Sequence, residues 1–182
     1  MGIKRFCIRS FTKILENYQT MIVISHRANF ENQKYPENSR NAIEYAADFG
    51  LDIEVDLRYF EGTILLGHDV GEHKIDEYFL EKYRDILWVH AKDARTAAWL
   101  NSQRDFELHW FTHDQDYATL TSRGFLWFHP LSEFQSSGIS VMPETRIARH
   151  KLTLDPSSIG ICSDLPFTYC KLFESLMGFS RP

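Results

Sequence analysis

Residues 53–69 read IEVDLRYFEGTILLGHD, and this stretch combines the alternating pattern of a β-strand with several ionisable side chains. Successive side chains of an extended strand point to opposite faces, so Glu54 and Asp56 share one face while apolar side chains occupy the other. Neighbouring carboxylates raise each other's pKa unless a cation lies between them, and carboxylate oxygens are the ligands that Mg²⁺ and Ca²⁺ prefer. The pair predicts a divalent-metal site, although an isolated Glu-x-Asp is also typical of the solvent face of an edge strand.

Two of the predicted strands are followed by a histidine. A turn at residues 61–62 leads into a second short strand, Thr63 to Leu66, and His68 lies just beyond its end. Upstream, the apolar run Met21 to Ile24 is followed closely by His26. Imidazole exchanges protons near neutral pH, so these residues are candidate acid/base groups beside the metal site.

The order of the predicted elements indicates an α/β fold. Ser39 is expected to cap a helix that ends at Gly50, and with its flanking strands this helix forms a β-α-β unit, whose parallel strands place ligands at their carboxyl ends. About eight strand candidates alternate with helices along the chain, one of these helices being predicted at residues 116–121. Because 182 residues are fewer than the roughly 200 of most small barrels, the sequence predicts a compact (β/α)8 TIM-type barrel with short loops.

The composition predicts one domain. A chain of 182 residues with 43% hydrophobic content buries a single core, and we expect one barrel domain over residues 21–182. Before it, apolar residues at helical spacing predict an amphipathic helix or an N-terminal extension over residues 1–20.

Charge and cysteine content exclude several classes of partner. The net charge is -5 and no Lys/Arg block is present, which argues against nucleic acid or an anionic membrane surface as the main partner. No apolar run approaches the roughly 20 residues that span a bilayer, so stable membrane insertion is not expected and a cytoplasmic location is. The three cysteines lack CxxC spacing and predict neither a disulfide framework nor a zinc site.

Four short motifs follow one another along the chain. They are His26-Arg27-Ala28, Pro36-Glu37-Asn38-Ser39, Glu54-Val55-Asp56 and His68-Asp69. In this order they resemble the pattern of the glycerophosphodiester phosphodiesterase family, within the phospholipase-C-like phosphodiesterases, which reads His-Arg-Gly, Pro-Glu-Asn-Thr, Glu-x-Asp and His-Asp. The resemblance begins at Met21, and Ala28 stands where the family has glycine.

The resemblance implies roles for most of the candidate residues. His26 and His68 would be the general acid and base, in an order that the sequence does not assign, and Glu54 and Asp56 would hold the metal. The remaining candidates contact phosphate or line the site: Arg27 and Lys92 as phosphate ligands, Glu37 orienting Arg27 or adding to the metal site, His113 near the leaving group, and Trp127 in the pocket wall. Ordinary surface charge, helix-entry and core positions are the alternatives for these residues.

A second departure concerns the metal. Many family members carry Glu-x-Lys where this chain has His90-Ala91-Lys92, so a third carboxylate is replaced by an imidazole. His90 is a candidate third ligand, or alternatively a strand-end histidine hydrogen-bonded to its neighbours. Mg²⁺ or Ca²⁺ is the expected cofactor with Mn²⁺ as the alternative, although imidazole suits transition metals better than Mg²⁺ or Ca²⁺.

These features together predict a metal-dependent phosphodiesterase that cleaves a glycerophosphodiester-like substrate to an alcohol and a phosphomonoester. The partner would be a small phosphodiester, a lipid headgroup or a phosphate-linked glycan bound in an open cleft. Three alternatives remain: a lyase that releases a cyclic phosphate, an inactive sugar-phosphate-binding barrel, and another metal-dependent hydrolase or isomerase, because barrels host many reactions.

Overall fold

The computed structural model describes residues 21–103, 107–129, 137–145, 152–154 and 158–177, and within them the chain forms ten β-strands and four α-helices. The strands are β1 Ile22–Ser25, β2 Asp52–Phe60, β3 Thr63–Leu66, β4 His73–Ile75, β5 Leu87–Ala91, β6 His109–Phe111, β7 Ala118–Leu120, β8 Leu126–Phe128, β9 Gly138–Val141 and β10 Gly160–Ser163. The helices are α1 Arg40–Asp48, α2 Glu77–Tyr83, α3 Ala94–Ser102 and α4 Pro166–Leu176. The helix or extension predicted for residues 1–20 lies outside the described residues.

All of the described strands belong to one mixed sheet. Its parallel strands follow one another in the order β6-β5-β2-β1-β10-β9-β8. Antiparallel strands are added at two places: β3 pairs with the second half of β2 and carries β4, and β7 pairs with β8. The sheet therefore has a parallel centre that positions strand ends together, and antiparallel hairpins beside it.

The predicted closed (β/α)8 barrel is wrong. The sheet curves into a half-barrel, and in the part of the chain that the structure describes β6 and β8 are not paired with each other. Residues 118–120, which fall in the predicted helix at residues 116–121, instead form β7, because the chain turns back through Gly124 at φ 83° and the Thr121 amide donates to the Phe125 carbonyl. A short turn of this kind joins antiparallel strands, whereas a parallel barrel needs a long crossover between every pair.

The connection between β2 and β3 is also a short turn that joins antiparallel strands, which a barrel of parallel strands does not have. Glu61 and Gly62 both adopt positive φ angles, 47° and 76°, which is the type I′ turn that matches the twist of a β-hairpin. The predicted strand at residues 63–66 is confirmed, but it runs antiparallel to β2 and contributes no parallel strand.

Helix α1 forms as the sequence predicts. The Ala42 amide donates to the Ser39 hydroxyl at 3.2 Å, which confirms Ser39 as the N-cap, and Gly50 follows the helix at φ 73°. Ala42, Ile43 and Ala46 are buried on one face of the helix. This face packs in the main apolar core and holds β1 and β2 in parallel register.

The concave side of the sheet has an apolar floor, formed by a buried cluster of Ile24, Trp88, Phe111, Trp127, Ile139, Val141 and Cys162. Trp88 of β5 and Trp127 of β8 are far apart in the strand order, yet their ring centroids are 5.8 Å apart, so the sheet curls around this floor. On β2 and β5 every second side chain points to the concave side of the sheet. Glu54, Asp56 and His90 are among these side chains, and they lie above the floor.

Candidate functional site

The candidate site is a cavity of about 960 Å³ at the carboxyl ends of the parallel strands. Among the residues that line it are the predicted acid/base, metal and phosphate residues His26, Arg27, Glu54, Asp56, His68, His90 and Lys92. Two further candidates, His113 and Trp127, also line it. Glu37 instead contacts the Arg27 guanidinium, with Nη1 and Oε1 3.2 Å apart. Residues from three of the four sequence motifs therefore line one cavity, and the fourth motif reaches it through the contact between Glu37 and Arg27.

Glu54 and Asp56 lie side by side on β2 and are 2% and 1% exposed. The Arg27 amide donates to Glu54 Oε2 at 2.9 Å. Burial raises the pKa of Glu54, the charge of Asp56 raises it further, and the neighbouring His26, His90 and Arg27 groups only partly offset this. A cation beside Glu54 would favour its ionised form, which burial and the charge of Asp56 disfavour.

Asp56 is the most heavily bonded carboxylate of the site. The groups around it are His90 Nδ1 at 3.0 Å, Asn38 Nδ2 at 3.1 Å, Lys92 Nζ at 3.2 Å and Arg27 Nε at 3.2 Å. Burial alone would raise the pKa of Asp56, but the His90 hydrogen bond and the charges of Lys92 and Arg27 hold it well below its usual range. Asp56 therefore stays ionised and organises the cations that surround it.

The acidic pair and His90 offer a set of metal ligands. One ligand atom from each of Glu54, Asp56 and His90 lies within 4.8 Å of the others. The Nδ1 atom of His90 is 3.0 Å from Asp56 Oδ1 and 3.9 Å from Glu54 Oε1, and donors bound to one cation at about 2.1 Å are about 3 Å apart. His90 Nε2 is buried and has no hydrogen-bond partner among the described residues. The donor set fits a divalent cation.

The ring of His26 is oriented by the carboxylate of Asp164, the residue that directly follows β10. Its Nδ1 atom is 2.9 Å from Asp164 Oδ1, and the Asn29 amide group donates to the same oxygen at 3.0 Å. Burial lowers the pKa of His26, but the hydrogen bond to Asp164 and the charge of Glu54 outweigh burial and the pKa lies above its usual value. Nδ1 donates to the carboxylate, so Nε2 is the atom left to exchange a proton with a substrate.

His68 has the same arrangement in a more exposed setting. Its Nδ1 atom is 2.7 Å from Asp69 Oδ1, and the two side chains are 38% and 88% exposed. The Arg58 guanidinium donates to the carbonyls of His68 and Asp69 at 2.9 and 3.2 Å, and Gly67 just before them has φ 148°. The loop that carries His68 is therefore fixed by its backbone.

Arg27 and Ala28 are the last two residues of the short 3₁₀ turn His26–Ala28 after β1, and both have left-handed backbone angles, φ 52° and 59°. Such angles favour glycine, which the resembling family has at the position of Ala28, and alanine adopts them at a cost of about 1 to 2 kcal/mol. The turn directs the Arg27 side chain toward Asp56 and its amide toward Glu54.

Aromatic and imidazole rings form one wall of the cavity. The rings of His90 and His113 stack with centroids 4.4 Å apart and an angle of 8°, and the His113 ring also contacts that of His129 at 4.7 Å. Burial, followed by repulsion from His90 and His129, lowers the pKa of His113 to about 4, so its ring is neutral at pH 7. Trp127 is 2% exposed in the apolar floor, so it serves both core packing and the lining of the cavity.

The sequence predictions missed several residues of the site, among them Asn29, Asn38, Arg58 and Asp164. Asn38 belongs to the Pro-Glu-Asn-Ser motif, and Asp164 directly follows the apolar run of β10, where a carboxylate at a carboxyl end is itself a signal. No comparable signal exists for Arg58, because its contacts with the His68 loop go to backbone carbonyls.

Comparisons with family models, curated proteins and solved structures find no match to this chain. Within the residues that the structure describes, no helix has both the length and the apolar composition required to cross a membrane. Any assignment of function thus depends on the geometry of the cavity and on the motif resemblance.

Proposed function

We propose that the protein is a metal-dependent phosphodiesterase that cleaves a glycerophosphodiester-like substrate to an alcohol and a phosphomonoester. The observation that supports this most directly is the meeting of two histidines, two cationic side chains and the Glu54, Asp56 and His90 cluster in one cavity. Cleavage of a phosphodiester requires charge neutralisation at phosphorus and proton transfer to and from the oxygens on either side of it, and these groups together can supply both.

Arg27 and Lys92 are the proposed phosphate ligands. Both side chains are mostly buried, at 22% and 13% exposure, and both approach Asp56 at 3.2 Å, so this carboxylate orients them toward the same part of the cavity. Glu37 holds the other side of the Arg27 guanidinium. A guanidinium fixed in this way presents its remaining N–H groups to an anion, and Lys92 adds a compact charge.

The two histidines divide the proton transfers. His68 Nε2 accepts the proton of the attacking water as the water oxygen forms a bond to phosphorus. The bond between phosphorus and the leaving oxygen breaks, and His26 Nε2 donates a proton to that oxygen. His26 suits the acid role because its bond to Asp164 and the charge of Glu54 raise its pKa above the usual value. When bound at the cluster, a divalent cation would neutralise charge on a non-bridging oxygen.

The cavity also suggests the size of the substrate. A volume of about 960 Å³ exceeds the needs of a phosphate and a glycerol unit, and it accommodates a lipid headgroup or part of a phosphate-linked glycan. A substrate hydroxyl next to the phosphate could take the place of water as the nucleophile. The product would then be a cyclic phosphate, and the protein a lyase.

Turnover with product analysis tests the proposal. Glycerophosphodiesters with different alcohols are incubated with the protein and one divalent metal at a time, and ³¹P NMR identifies the product. We expect a phosphomonoester, while a cyclic phosphate would assign the lyase reaction. Calorimetry with the same compounds is the control, because tight binding without turnover under any metal would contradict the enzyme and indicate a binding protein.

A further inference from the structure

We propose that the cluster of Glu54, Asp56 and His90 selects a transition-metal ion that accepts an imidazole ligand, with Zn²⁺ as the best match, over Mg²⁺ or Ca²⁺. The inference names the cation of the proposed function and rests on that proposal for the role of the ion in catalysis. The metal preference itself can be measured without turnover.

His90 is part of the cluster through the register of the sheet. Asp56 of β2 and His90 of β5 are direct neighbours across parallel strands, so both side chains leave the sheet on the same face. The imidazole is 7% exposed, and its ring stacks on those of His113 and Phe111 with interplanar angles of 8° and 7°. A ring restrained in this way loses little conformational freedom on binding an ion.

The type of donor argues for a transition metal. Mg²⁺ and Ca²⁺ take oxygen ligands almost exclusively, whereas imidazole suits Zn²⁺, Fe²⁺, Ni²⁺ and Cu²⁺. Catalytic zinc sites commonly have three protein ligands drawn from histidine and carboxylate and keep one position open for water or substrate. One imidazole and two carboxylates from this chain match that composition.

The charge of the site also favours a transition metal over Mg²⁺ or Ca²⁺. The affinity of hard cations for a site increases with the number of its carboxylates. The cluster has two carboxylates, and one of them, Asp56, already has Arg27 and Lys92 at 3.2 Å. A site so neutralised is weak for Mg²⁺ or Ca²⁺, whereas the bond between a nitrogen ligand and a transition metal depends less on net charge.

The test measures metal binding to the full chain in the absence of substrate. Calorimetry compares Zn²⁺, Mg²⁺ and Ca²⁺, and Co²⁺ serves as a spectroscopic probe because its visible absorption reports the ligands. We expect Zn²⁺ to bind about 100-fold or more tightly than Mg²⁺. Most sites favour Zn²⁺ to some degree, so the decisive comparison uses variants of His90.

In His90→Glu, which restores a third carboxylate, the preference for Zn²⁺ over Mg²⁺ should fall by about 10-fold or more, and the Co²⁺ spectrum should change. His90→Gln should lose about 10-fold or more in Co²⁺ affinity, and it carries the test if circular dichroism shows that His90→Glu does not fold. His129→Gln is the matched control, because His129 lines the cavity but is not one of the three clustered ligands. It should keep the wild-type preference.

The inference would be overturned if the His90 variants kept the wild-type preference for Zn²⁺, or if His129→Gln lost this preference equally. It would also be overturned if the wild type bound Mg²⁺ as tightly as Zn²⁺, or if it bound no metal. The two proposals fail separately. Phosphodiester turnover that is equally fast with Mg²⁺ and Zn²⁺ would retain the enzyme and reject the zinc preference. Zn²⁺ binding that depends on His90, without turnover of any phosphodiester, would retain the zinc preference and reject the enzyme.

Discussion

At the scale of single residues, the two proposed acid/base histidines share one arrangement, in which Nδ1 meets a carboxylate. The pairs are His26–Asp164 at 2.9 Å and His68–Asp69 at 2.7 Å. A carboxylate at Nδ1 fixes the tautomer and the ring orientation, so that the opposite nitrogen is free for chemistry. The pairs differ in burial, and this difference supports the separate roles that we assign to them.

The acid/base assignment predicts that His26→Ala and His68→Ala each lower kcat by about 10²- to 10⁴-fold or more without unfolding the protein. Steady-state kinetics and circular dichroism measure the two effects. His73→Ala is the matched control, because His73 lies on β4 and does not line the cavity. Full activity in either the His26 or the His68 variant would contradict the mechanism.

A further prediction concerns Asp164, which positions His26. Asp164→Asn removes the negative charge and weakens the hydrogen bond that raise the pKa of His26, and we expect kcat to fall by at least about 10-fold. A general acid must be protonated, so the lower pKa should move the alkaline limb of the pH–rate profile to lower pH. Asp69→Asn, the matched variant at His68, should leave that limb in place. If Asp164→Asn does not move it, then Asp164 does not act through His26.

At the scale of elements, Gly67 controls the backbone of the loop between β3 and β4. Gly67 has φ 148°, and a Cβ atom there would overlap the Val70 carbonyl oxygen, whereas a Cβ at Gly62 would meet no atom within 4 Å. Both glycines have positive φ angles, so alanine strains the backbone at either position, but only at Gly67 must the loop also move. His68 is the next residue, and it would move with the loop.

We therefore expect Gly67→Ala to lower the free energy of unfolding by about 1 to 3 kcal/mol and to reduce kcat sharply. Gly62→Ala should lower stability by about 1 kcal/mol with kcat unchanged. Urea denaturation and steady-state kinetics on both variants make the comparison. Equal effects of the two substitutions on kcat would show that the loop does not control His68.

Local patterns were sufficient to predict much of the chain. The apolar alternation of β2, the cap at Ser39 and the turn at residues 61–62 were each readable, because short-range physics fixes them. The proposed ligands and acid/base residues were named from motifs, and they line one cavity in the structure. The partners Asp164 and Arg58 were not named, since their contacts span 138 and 10 positions of sequence and depend on how strands are arranged.

At the scale of the whole molecule, the half-barrel differs from the predicted closed barrel through its connections. A strand pattern such as that of β7 and β8 does not specify its partner, so an antiparallel hairpin and a strand of a parallel barrel look alike in sequence. The half-barrel nevertheless gathers the carboxyl ends of β1 and β5 beside the parallel part of β2, so that His26 and His90 lie next to Glu54 and Asp56. The site needs this parallel centre and not closure of the sheet.

A buried histidine of the half-barrel, His109, predicts how the stability of the fold depends on pH. His109 is 2% exposed, its Nε2 atom is 2.8 Å from Thr121 Oγ1, and burial followed by the charge of Arg123 lowers its pKa to about 3. Unfolded histidine has a pKa of about 6.5, so between these values only the unfolded chain binds the proton. Stability from this group is complete above about pH 6.5 and is lost as the pH falls toward 3, by up to about 1.4 kcal/mol per pH unit.

We therefore expect His109→Gln to flatten the decrease in unfolding free energy between pH 7 and pH 5, measured by urea denaturation at both values. His73→Gln controls for the loss of one histidine and should retain the wild-type slope. A His109 variant with an unchanged slope would mean that another group causes the acid sensitivity.

The proposed mechanism requires that two histidines and the Glu54, Asp56 and His90 cluster act on one phosphate. A crystal structure with Zn²⁺ and glycerol 3-phosphate, a product of the proposed reaction, would show whether they do. We expect the ion on Glu54, Asp56 and His90, with the phosphate within hydrogen-bond distance of Arg27, Lys92 and the Nε2 atoms of His26 and His68. A phosphate bound outside the cavity, or one that His26 and His68 cannot both reach, would contradict it.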